Sequence, residues 1–589
     1  MSFNKYYEDE LSYLRDLGKE FAHANPELAP FLAERGSDPD VERLLEGFAF
    51  LSGRVRQKID DDLPELTHSL ISLLWPHYLR PVPSMSILEF TPVVNAISER
   101  KLIERGVEVD SVPVEGTACR FRTCYDVELY PLNIDTVELQ QDGRGCRLKL
   151  VFALHAGATL DKLNLDTLRL HLHGEPNISR TMYLWLCRYL DRITVKAVGG
   201  ESGNDVFELQ DGALQPAGFT DQEALLPYPP NAFLGYRVIQ EYIALPEKFL
   251  FFDVTGLEPL AGFNKMTERF EINFDFSRPL DDSVRLQKDN FRLFCTPVVN
   301  LFTRDADPIR VDNTRTEYRI WPSGKEPSHA EMYSIDKVEG WVQGSGKRRN
   351  YKAFESFEHR NDSDADGPSI YYRTRLHPAV VGKGVDTYIA FVGADERHAV
   401  PPTETVSLQL TCSNRNLAEK LRAGDIATAT GSSPEFSTFR NISAVSPSMM
   451  PPLEAGLHWR LISGMALNYV SLASIEAFRN ILEVYDFRAL YDRQAERVSQ
   501  LRLDGLLQVR VEPIDLLHRG LPIRGLRTHL EMQESNFAGE GDMFLLASIL
   551  NVFLALYASV NSFHQLVVKG VEHGEVYQWP TRIGQQPLL

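Results

Sequence analysis

Cysteine is scarce in this chain, which has 6 among its 589 residues. Only Cys119 and Cys124 lie close together, and no second pair or nearby histidine completes a zinc site around their C-x4-C spacing. The first residues, MSFNKYYEDELSYL, also lack the basic start and apolar core of a secretory signal. We therefore expect reduced thiols, no disulfide framework, no bound metal and a cytoplasmic location. The remaining cysteines are Cys146, Cys187, Cys295 and Cys412.

Positive charge is in deficit, because 62 lysines and arginines face 81 aspartates and glutamates, for a formal net charge of −19. A nucleic-acid-binding protein usually carries a broad basic surface. The composition therefore argues against nucleic acid as a partner. An acidic surface keeps a large chain soluble and can pair with basic partners.

Motifs that carry chemistry are missing or incomplete. Asp362, Asp364 and Asp366 match the first half of a calcium loop, but Arg373 stands where the bidentate glutamate is required. His171 and His173 share one face of a predicted strand without a third metal ligand, so we interpret that face as polar. Residues 344–347, GSGK, fail the phosphate-loop spacing. We predict no enzyme, no cofactor and no catalytic residues; a β-rich hydrolase with a carboxylate pair remains an alternative, because acid–base roles depend on geometry.

Long apolar runs are absent with one exception, residues 543–563, MFLLASILNVFLALYASVNSF. A helix of this length could cross a bilayer, so a membrane anchor at 543–563 is a second alternative. The flanks favour a buried helix and no direct membrane insertion, because acidic residues precede the run and no Lys/Arg cluster marks an interface. Asp542 is the expected N-cap. Small and polar residues share one helix face and predict a close contact with another backbone: Ser548, Asn551, Ala555, Ala558 and Ser562.

The periodicity divides the chain into four predicted regions and indicates a multidomain α+β protein. Residues 1–83 have helical spacing, and Leu44, Phe48 and Leu51 belong to an amphipathic stripe that we expect to serve another chain. Residues 84–325 and 326–450 form two antiparallel β-rich domains. Residues 451–589 form a mixed α/β assembly domain with a long apolar helix.

Period-two alternation is clearest in three segments of the second region, 148–154, 168–173 and 270–276. Alternating apolar and polar residues predict strands with one face in the core and one face in water, as in antiparallel sheets and sandwiches. Further strands are predicted at 388–392, 406–412, 507–511 and 565–569, and a helix is predicted at 180–191.

Large aromatic residues are the candidates for anchors at a protein interface, because aromatic side chains dominate buried contact energy. We select two tryptophans at region boundaries and three aromatics of the apolar run. Packing inside the chain is an equally good explanation for each of them. The candidates are Trp75, Trp459, Phe544, Phe553 and Tyr557.

Five long strings together resemble the TssF family, also called ImpG or VasA, of type VI secretion baseplate subunits. They run in family order from the first residues almost to the end of the chain. The first three are 4–17 (NKYYEDELSYLRDL), 66–81 (LTHSLISLLWPHYLRP) and 294–321 (FCTPVVNLFTRDADPIRVDNTRTEYRIW). The last two are 459–487 and 520–563, and the latter contains GLPIRGLRTHLEMQESNFAGEGDMF.

The resemblance implies a structural role in the wedge of a contractile, phage-tail-like injection machine. Two TssF copies are expected to bind one TssG, with TssK and TssE completing the hetero-oligomeric wedge around a VgrG hub. Such a baseplate is cytoplasmic, docks at the inner membrane complex and primes assembly of the tube and sheath. The family supplies no catalytic residues.

Overall fold

The computed structural model describes most of residues 75–453 and 474–584. Before residue 75 it describes only positions 7, 11, 43–44, 46–52, 54, 68 and 70–73, all of them helical. The gaps within the two main ranges are 142, 144, 199–205, 229–232, 264–266, 282–283, 313, 325, 327–328, 343–347, 355–369, 379–384, 394–403 and 519–520. The predictions for Trp459, for the acidic loop at Asp362 and for the glycine-rich turn at 344–347 therefore lie outside the described residues.

The chain divides into two compact units. One comprises Met1–Leu79 with Leu453–Trp459, and the other comprises Arg80–Pro452 with Arg460–Leu589. In the first unit, the helical residues Leu44, Phe48 and Leu51 are 74%, 61% and 63% exposed. The sheets and numbered helices that follow all belong to the second unit. The division at 83, 325 and 450 stays a prediction.

A six-stranded sheet joins chain segments that are distant in sequence, because strands from 85–123, 295–299 and 426–441 pair side by side. All of its pairings are antiparallel. With strands numbered in chain order, its spatial order is β24 (Ile426–Ala429), β3 (Glu108–Val114), β4 (Thr117–Thr123), β15 (Cys295–Val299), β1 (Met85–Pro92) and β25 (Ser437–Asn441). A separate two-stranded pair is β2 (Lys101–Ile103) and β5 (Val127–Leu129).

The strands predicted at 148–154 and 270–276 are confirmed as neighbours in a five-stranded antiparallel sheet. Alternation places Phe152 directly opposite Phe270, and their rings stack with centroids 5.0 Å apart. Cross-strand aromatic pairs of this kind stabilise a sheet. The order is β10 (Val206–Glu208), β9 (Leu190–Ala197), β13 (Arg269–Phe276), β7 (Cys146–Leu154) and β6 (Leu132–Gln141).

The strand predicted at 168–173 exists, but the prediction of a polar face in water is wrong. Leu168, Leu170, His171 and Leu172 are all buried, so both faces of this strand are covered, and the strand pairs on both edges in a four-stranded sheet. The His171 ring packs on Phe251 with centroids 4.3 Å apart, and burial lowers the pKa of His171 to about 3. The order is β11 (Leu214–Ala217), β12 (Phe251–Thr255), β8 (Thr167–Leu172) and β14 (Phe291–Leu293).

An eight-stranded sheet contains the strands predicted at 388–392 and 406–412. Val406, Leu408, Leu410 and Cys412 alternate into its core, as the period-two pattern requires. The pairing of β20 with β21 is parallel. The order is β16 (Phe302–Asp305), β23 (Glu404–Ser413), β19 (Glu331–Val342), β20 (Arg348–Ala353), β21 (Ile370–Pro378), β22 (Val385–Gly393) and β18 (Tyr318–Arg319), with β17 (Ile309–Val311) also paired to β23.

The C-terminal sheet contains the strands predicted at 507–511 and 565–569. The first extends into a long hairpin, and the second pairs with that hairpin in parallel. The spacing of residues in the sequence predicted neither the hairpin nor the parallel pairing, because the direction in which two strands pair depends on the connection between them. The order is β26 (Leu506–His518), β27 (Leu521–Met532), β28 (Phe563–Gly570) and β29 (Val576–Gln578), with β30 (Arg582–Ile583) paired to β28.

Among the described elements strands outnumber helices, which confirms a β-rich multidomain protein. The helix predicted at 180–191 lies a few residues earlier. Its α-helical part spans Pro176–Leu184, and a π-helical turn, Trp185–Tyr189, follows it directly. The described helices are α1 (Leu160–Leu163), α2 (Pro176–Leu184), α3 (Leu234–Ala244), α4 (Ile475–Tyr485), α5 (Arg493–Asp504) and α6 (Glu540–Leu556). Short 3-10 turns lie at Pro76–Leu79, Asp221–Glu223, Pro246–Phe249, Glu258–Gly262, Lys288–Asn290, Arg415–Lys420 and Glu534–Asn536.

The apolar run at 543–563 does not form the long helix that was predicted. Helix α6 has 17 residues, ends at Leu556, and is followed by a turn and by strand β28 from Phe563. Among the described helices, none combines the length and hydropathy needed to cross a membrane.

Candidate functional site

Helix α6 is buried on every side, since each residue from Gly541 to Ala555 is buried. The sequence explains this, because no charged side chain follows Asp542 in the helix and a helix that is apolar all round belongs in a core. It packs against α2, α3 and β28. These elements, with α4 and α5, form what we call the helical cluster, and three of the five anchor candidates lie in it.

Phe544 anchors the first half of α6 within the chain. Its ring stacks on Trp579 with centroids 5.0 Å apart and meets Tyr577 edge-on at 5.4 Å. Tyr183 of α2 lies on another side at 6.1 Å. Phe544 therefore joins α2 to the C-terminal strands.

Phe553 and Tyr557 anchor the other end of α6 to helix α3. The Phe553 ring contacts Phe233 and Tyr236 with centroids 5.9 and 5.6 Å apart. The hydroxyls of Tyr236 and Tyr557 share a hydrogen bond of 2.5 Å, and burial raises the pKa of both groups. Tyr236 also stacks on Tyr485 of α4 at 4.6 Å. The observed contacts of these anchor candidates are thus within the chain, and their role at an interface stays a prediction.

Trp75 lies in the other unit and is half-buried. Its backbone N–H donates to the carbonyl of Ile71 at 2.6 Å, and its carbonyl accepts from Tyr78 at 3.0 Å. Trp75 lies between the helical residues 70–73 and the Pro76–Leu79 turn. Its role as an anchor also stays a prediction.

Asp542 is not the N-cap that was predicted. Helix α6 begins at Glu540, and Gly539 occupies the cap with a φ of 145°, in the region that favours glycine. The Asp542 carboxylate instead accepts hydrogen bonds from Arg180 of α2 at 2.7 Å and from Arg502 of α5 at 3.0 and 3.1 Å. A buried carboxylate with two guanidinium partners holds three helices together.

Part of the predicted small-residue face meets another backbone, since an added Cβ at Gly584 would lie 2.2 Å from the carbonyl oxygen of Ala558. Ser548 of the same face instead donates back to the carbonyl of Phe544 in its own helix, at 2.9 Å. Inside α6 a close approach occurs at Gly541, where an added Cβ would lie 2.3 Å from the carbonyl oxygen of Arg180. Backbone cannot shift as a flexible side chain can, so only glycine fits between α2 and α6 here.

A pair of carboxylates does occur at the edge of the helical cluster, formed by Glu540 and Glu575. The guanidinium of Arg278 donates to Glu575 and to the Tyr189 hydroxyl, each at 2.7 Å. Tyr189 donates to Glu575 at 2.7 Å, and Tyr577 donates to Glu540. Burial raises the pKa of Glu540. Each carboxylate is thus engaged within the chain, and the network ties α6 to the end of β13.

One group of potential metal ligands occurs among the described residues, namely Glu534, Glu572 and His573. The Glu534 carboxylate already accepts the backbone N–H groups of Glu572 and His573, at 2.9 and 3.1 Å. Gly570 allows this, because an added Cβ there would overlap the Glu534 carboxylate. The arrangement closes the turn after β28.

The comparison with protein families decides where the chain belongs. The family model for "Type VI secretion system, TssF" matches residues 1–586. The chain belongs to the TssF family. Type VI secretion system component TssF1 of Pseudomonas aeruginosa is 32% identical over 641 aligned positions, which cover 99% of each chain. The resemblance seen in the sequence is thereby confirmed.

Solved structures similar to this TssF-family chain come from secretion baseplates. A chain of the TssK-TssF-TssG baseplate subcomplex, determined by cryo-electron microscopy, is 33% identical with a TM-score of 0.75, covering 92% of this chain and 99% of that one. A chain of the baseplate complex from the type VI secretion system is 30% identical with a TM-score of 0.63, and the match covers 100% of both chains.

The sequence of this TssF-family protein gave no signal for Arg180 and Arg502 as partners of Asp542. They lie 362 and 40 positions away, and single arginines on amphipathic helices usually face solvent. Glycine at 541 was a weak signal, since glycine inside a helix start is unfavourable unless close packing requires it.

Replacing Gly541 with alanine should destabilise this TssF chain by about 1–3 kcal/mol, because the new methyl group would overpack the α2–α6 contact. Chemical denaturation followed by tryptophan fluorescence measures the change. Gly262→Ala is the matched control, since a Cβ there meets nothing within 4 Å. Equal midpoints for the two variants would contradict the close approach.

Proposed function

We propose that this chain is a structural subunit of the type VI secretion baseplate that binds TssG and TssK. The observation that carries the proposal is the match to a chain of the TssK-TssF-TssG subcomplex, with a TM-score of 0.75 and 33% identity over 99% of that chain. A fold kept over 92% of this chain at this identity supports the same assembly.

The finer arrangement follows the family expectation. We propose that two copies bind one TssG, that TssE completes the wedge around the VgrG hub, and that the baseplate primes tube and sheath assembly. The wedge would lie in the cytoplasm and dock at the inner membrane complex. A structural rather than catalytic role is part of this proposal, and membership of the TssF family supports it.

An apolar helix face in the first unit supports a role in protein binding. Leu44, Phe48 and Leu51 recur at spacings of four and three, so they share one face of a helix, and all three are exposed. Exposed apolar stripes of this kind mark interaction sites. We propose that Trp75 and Trp459 belong to the same kind of partner contact, whereas Phe544, Phe553 and Tyr557 act by holding the helical cluster in the shape that partners recognise.

Co-expression with TssG and TssK tests the proposal, since a tagged copy of this chain should recover both partners in one complex by size-exclusion chromatography. The double variant Leu44→Asp and Phe48→Asp should reduce recovery about tenfold or more, because a partner that covers this stripe would have to bury the two new charges. Val94→Asp is the control, as Val94 is an exposed valine of the second unit.

If the tagged wild-type chain recovers neither TssG nor TssK, the assembly role is overturned. Normal recovery with the double variant would remove only the helix face at Leu44 and Phe48 from the interface.

A further inference from the structure

Two parallel strands of the C-terminal sheet end side by side, and the residues that follow them bring Glu534, Glu572 and His573 together. Strands β27 and β28 pair in parallel, and their last paired residues are Met532 and Gly570. Glu534 follows the end of β27 by two residues, and Glu572 follows the end of β28 by two residues. The strand pairing therefore places the two glutamates next to each other.

Helix α6 connects these two strands, so that β27, α6 and β28 form a β-α-β unit. In open sheets built from such units, ligands bind outside the carboxyl ends of the parallel strands, where the loops that follow the strands converge. The three side chains lie at that end of β27 and β28. The position of the group within the fold thus points to a ligand, independently of its composition.

The separations within the group fit a metal ion. One ligand atom of each residue lies within 4.8 Å of the other two, and Nδ1 of His573 is 3.5 Å from Oε1 of Glu534. A tetrahedral zinc ion with bonds of about 2.0–2.2 Å requires ligand atoms about 3.3–3.6 Å apart. His573 and Glu534 already have this separation, and the exposed side chain of Glu572 can complete the set by rotation.

The negative charge of the group has no permanent counter-charge. The Glu534 side chain is only 7% exposed, and among the described residues no lysine or arginine forms an ion pair with Glu534 or Glu572. The backbone N–H groups that bind Glu534 are dipoles without net charge. Since buried carboxylates in proteins are paired with a cation or coordinate a metal, this group is suited to a divalent ion.

Hydrogen bonds hold the Glu572 carboxylate in the orientation that a metal ligand needs. The hydroxyl of Ser535 donates to Oε1 at 2.6 Å, and the backbone N–H of Ser535 donates to Oε2 at 3.0 Å. Carboxylates that bind metals are usually oriented in this way by neighbouring donors. A carboxylate has about four lone-pair sites, so Glu572 and Glu534 both keep an acceptor site for an ion.

We propose that Glu534, Glu572 and His573 bind a zinc ion that ties the end of β27 to the turn after β28. The imidazole favours zinc over magnesium and calcium, which prefer oxygen ligands alone. Three protein ligands leave the fourth tetrahedral position for water. The inference goes beyond the proposed function and does not depend on it, because all three ligands belong to this chain.

A zinc titration of the full-length chain tests the site, after a chelator has removed any metal. Isothermal titration calorimetry should show zinc binding by the wild type, and His573→Ala should weaken this binding about tenfold or more, because the nitrogen ligand is lost. His573 is 73% exposed, so the variant should fold. His377→Ala is the matched control, since His377 is an exposed histidine of β21 and belongs to no group of potential ligands among the described residues.

A second variant removes an oxygen ligand without changing the size of the side chain. Glu572→Gln should also weaken zinc binding about tenfold or more, whereas Glu208→Gln, at an exposed glutamate of β10, should not. Magnesium in place of zinc should bind the wild type at least about tenfold more weakly. Zinc should raise the melting temperature of the wild type and both controls, because an ion that binds only the folded chain stabilises it.

The results that would overturn the zinc site are specific. They are no zinc binding by the wild type, or zinc binding by His573→Ala that equals that of the wild type. Equal affinity for magnesium and zinc would show that the glutamates attract any divalent cation without the imidazole, and would also overturn it. Weaker binding by both ligand variants, with unchanged binding by both controls, supports the inference.

Discussion

Replacing Asp542 with asparagine should cost the chain about 3–5 kcal/mol of stability, since removing one partner of a buried ion pair leaves the other charge uncompensated. The Asp542 side chain is 2% exposed and receives hydrogen bonds from Arg180 and Arg502. Asparagine has nearly the same shape, so the loss would come from charge rather than from packing. Arg180 and Arg502 would then lose the anion that both of them bind.

Urea denaturation followed by circular dichroism measures this loss, and limited proteolysis locates it. Cleavage should appear first near α5, because Arg502 tethers that weakly packed helix to α6. Asp504→Asn is the matched control, because Asp504 is an exposed aspartate at the end of α5. This substitution should change stability by no more than about 0.5 kcal/mol. A midpoint for Asp542→Asn within error of the control would show that the ion pairs contribute nothing.

Replacing Glu241 with glutamine should have a similarly large effect, about 3–5 kcal/mol. Glu241 and Lys248 are both fully buried and form an ion pair. The Glu241 carboxylate also accepts the N–H groups of Leu225 and Leu226, at 2.8 and 2.9 Å. Glutamine can keep those two bonds through its carbonyl oxygen, but its NH₂ group would face the ammonium of Lys248.

The sign of the pH dependence gives a second check on Glu241→Gln. Burial lowers the pKa of Lys248 from its ordinary 10.5 even beside Glu241, and losing the carboxylate should lower it further. Between the folded and ordinary pKa values the unfolded chain binds more protons, so stability rises with pH in that window. The deficit of Glu241→Gln should therefore be smaller at pH 10 than at pH 7.

A double variant distinguishes lost charge pairing from lost packing. Glu241→Gln with Lys248→Met removes the isolated ammonium and should regain much of the stability, because apolar replacements of buried ion pairs are often neutral. Thermal unfolding of the wild type, both single variants and the double variant forms the cycle. A double variant that is as unstable as the sum of the single variants would contradict an ion pair as the cause.

Strands in this protein could be predicted from sequence wherever one face meets water. Val406, Leu408 and Leu410 alternate with polar residues, and the structure places them in the core of the eight-stranded sheet. The pattern misled at His171, because both faces of this strand are covered and a histidine can fill a core position beside an aromatic ring. Burial of both faces depends on what covers the sheet, which local sequence does not encode.

The sequence by itself determined three things: the β-rich class, the family, and the burial of the apolar helix after Asp542. They followed from the period-two alternation, from the long segments that resemble TssF, and from the absence of charged residues, all of which can be read from neighbouring residues in the chain. Only the tertiary structure decided that α6 ends at Leu556. The following residues must turn back so that β28 can pair in parallel with β27. It also decided which arginines hold Asp542, since those contacts join residues far apart in the chain, and three-dimensional packing alone selects them.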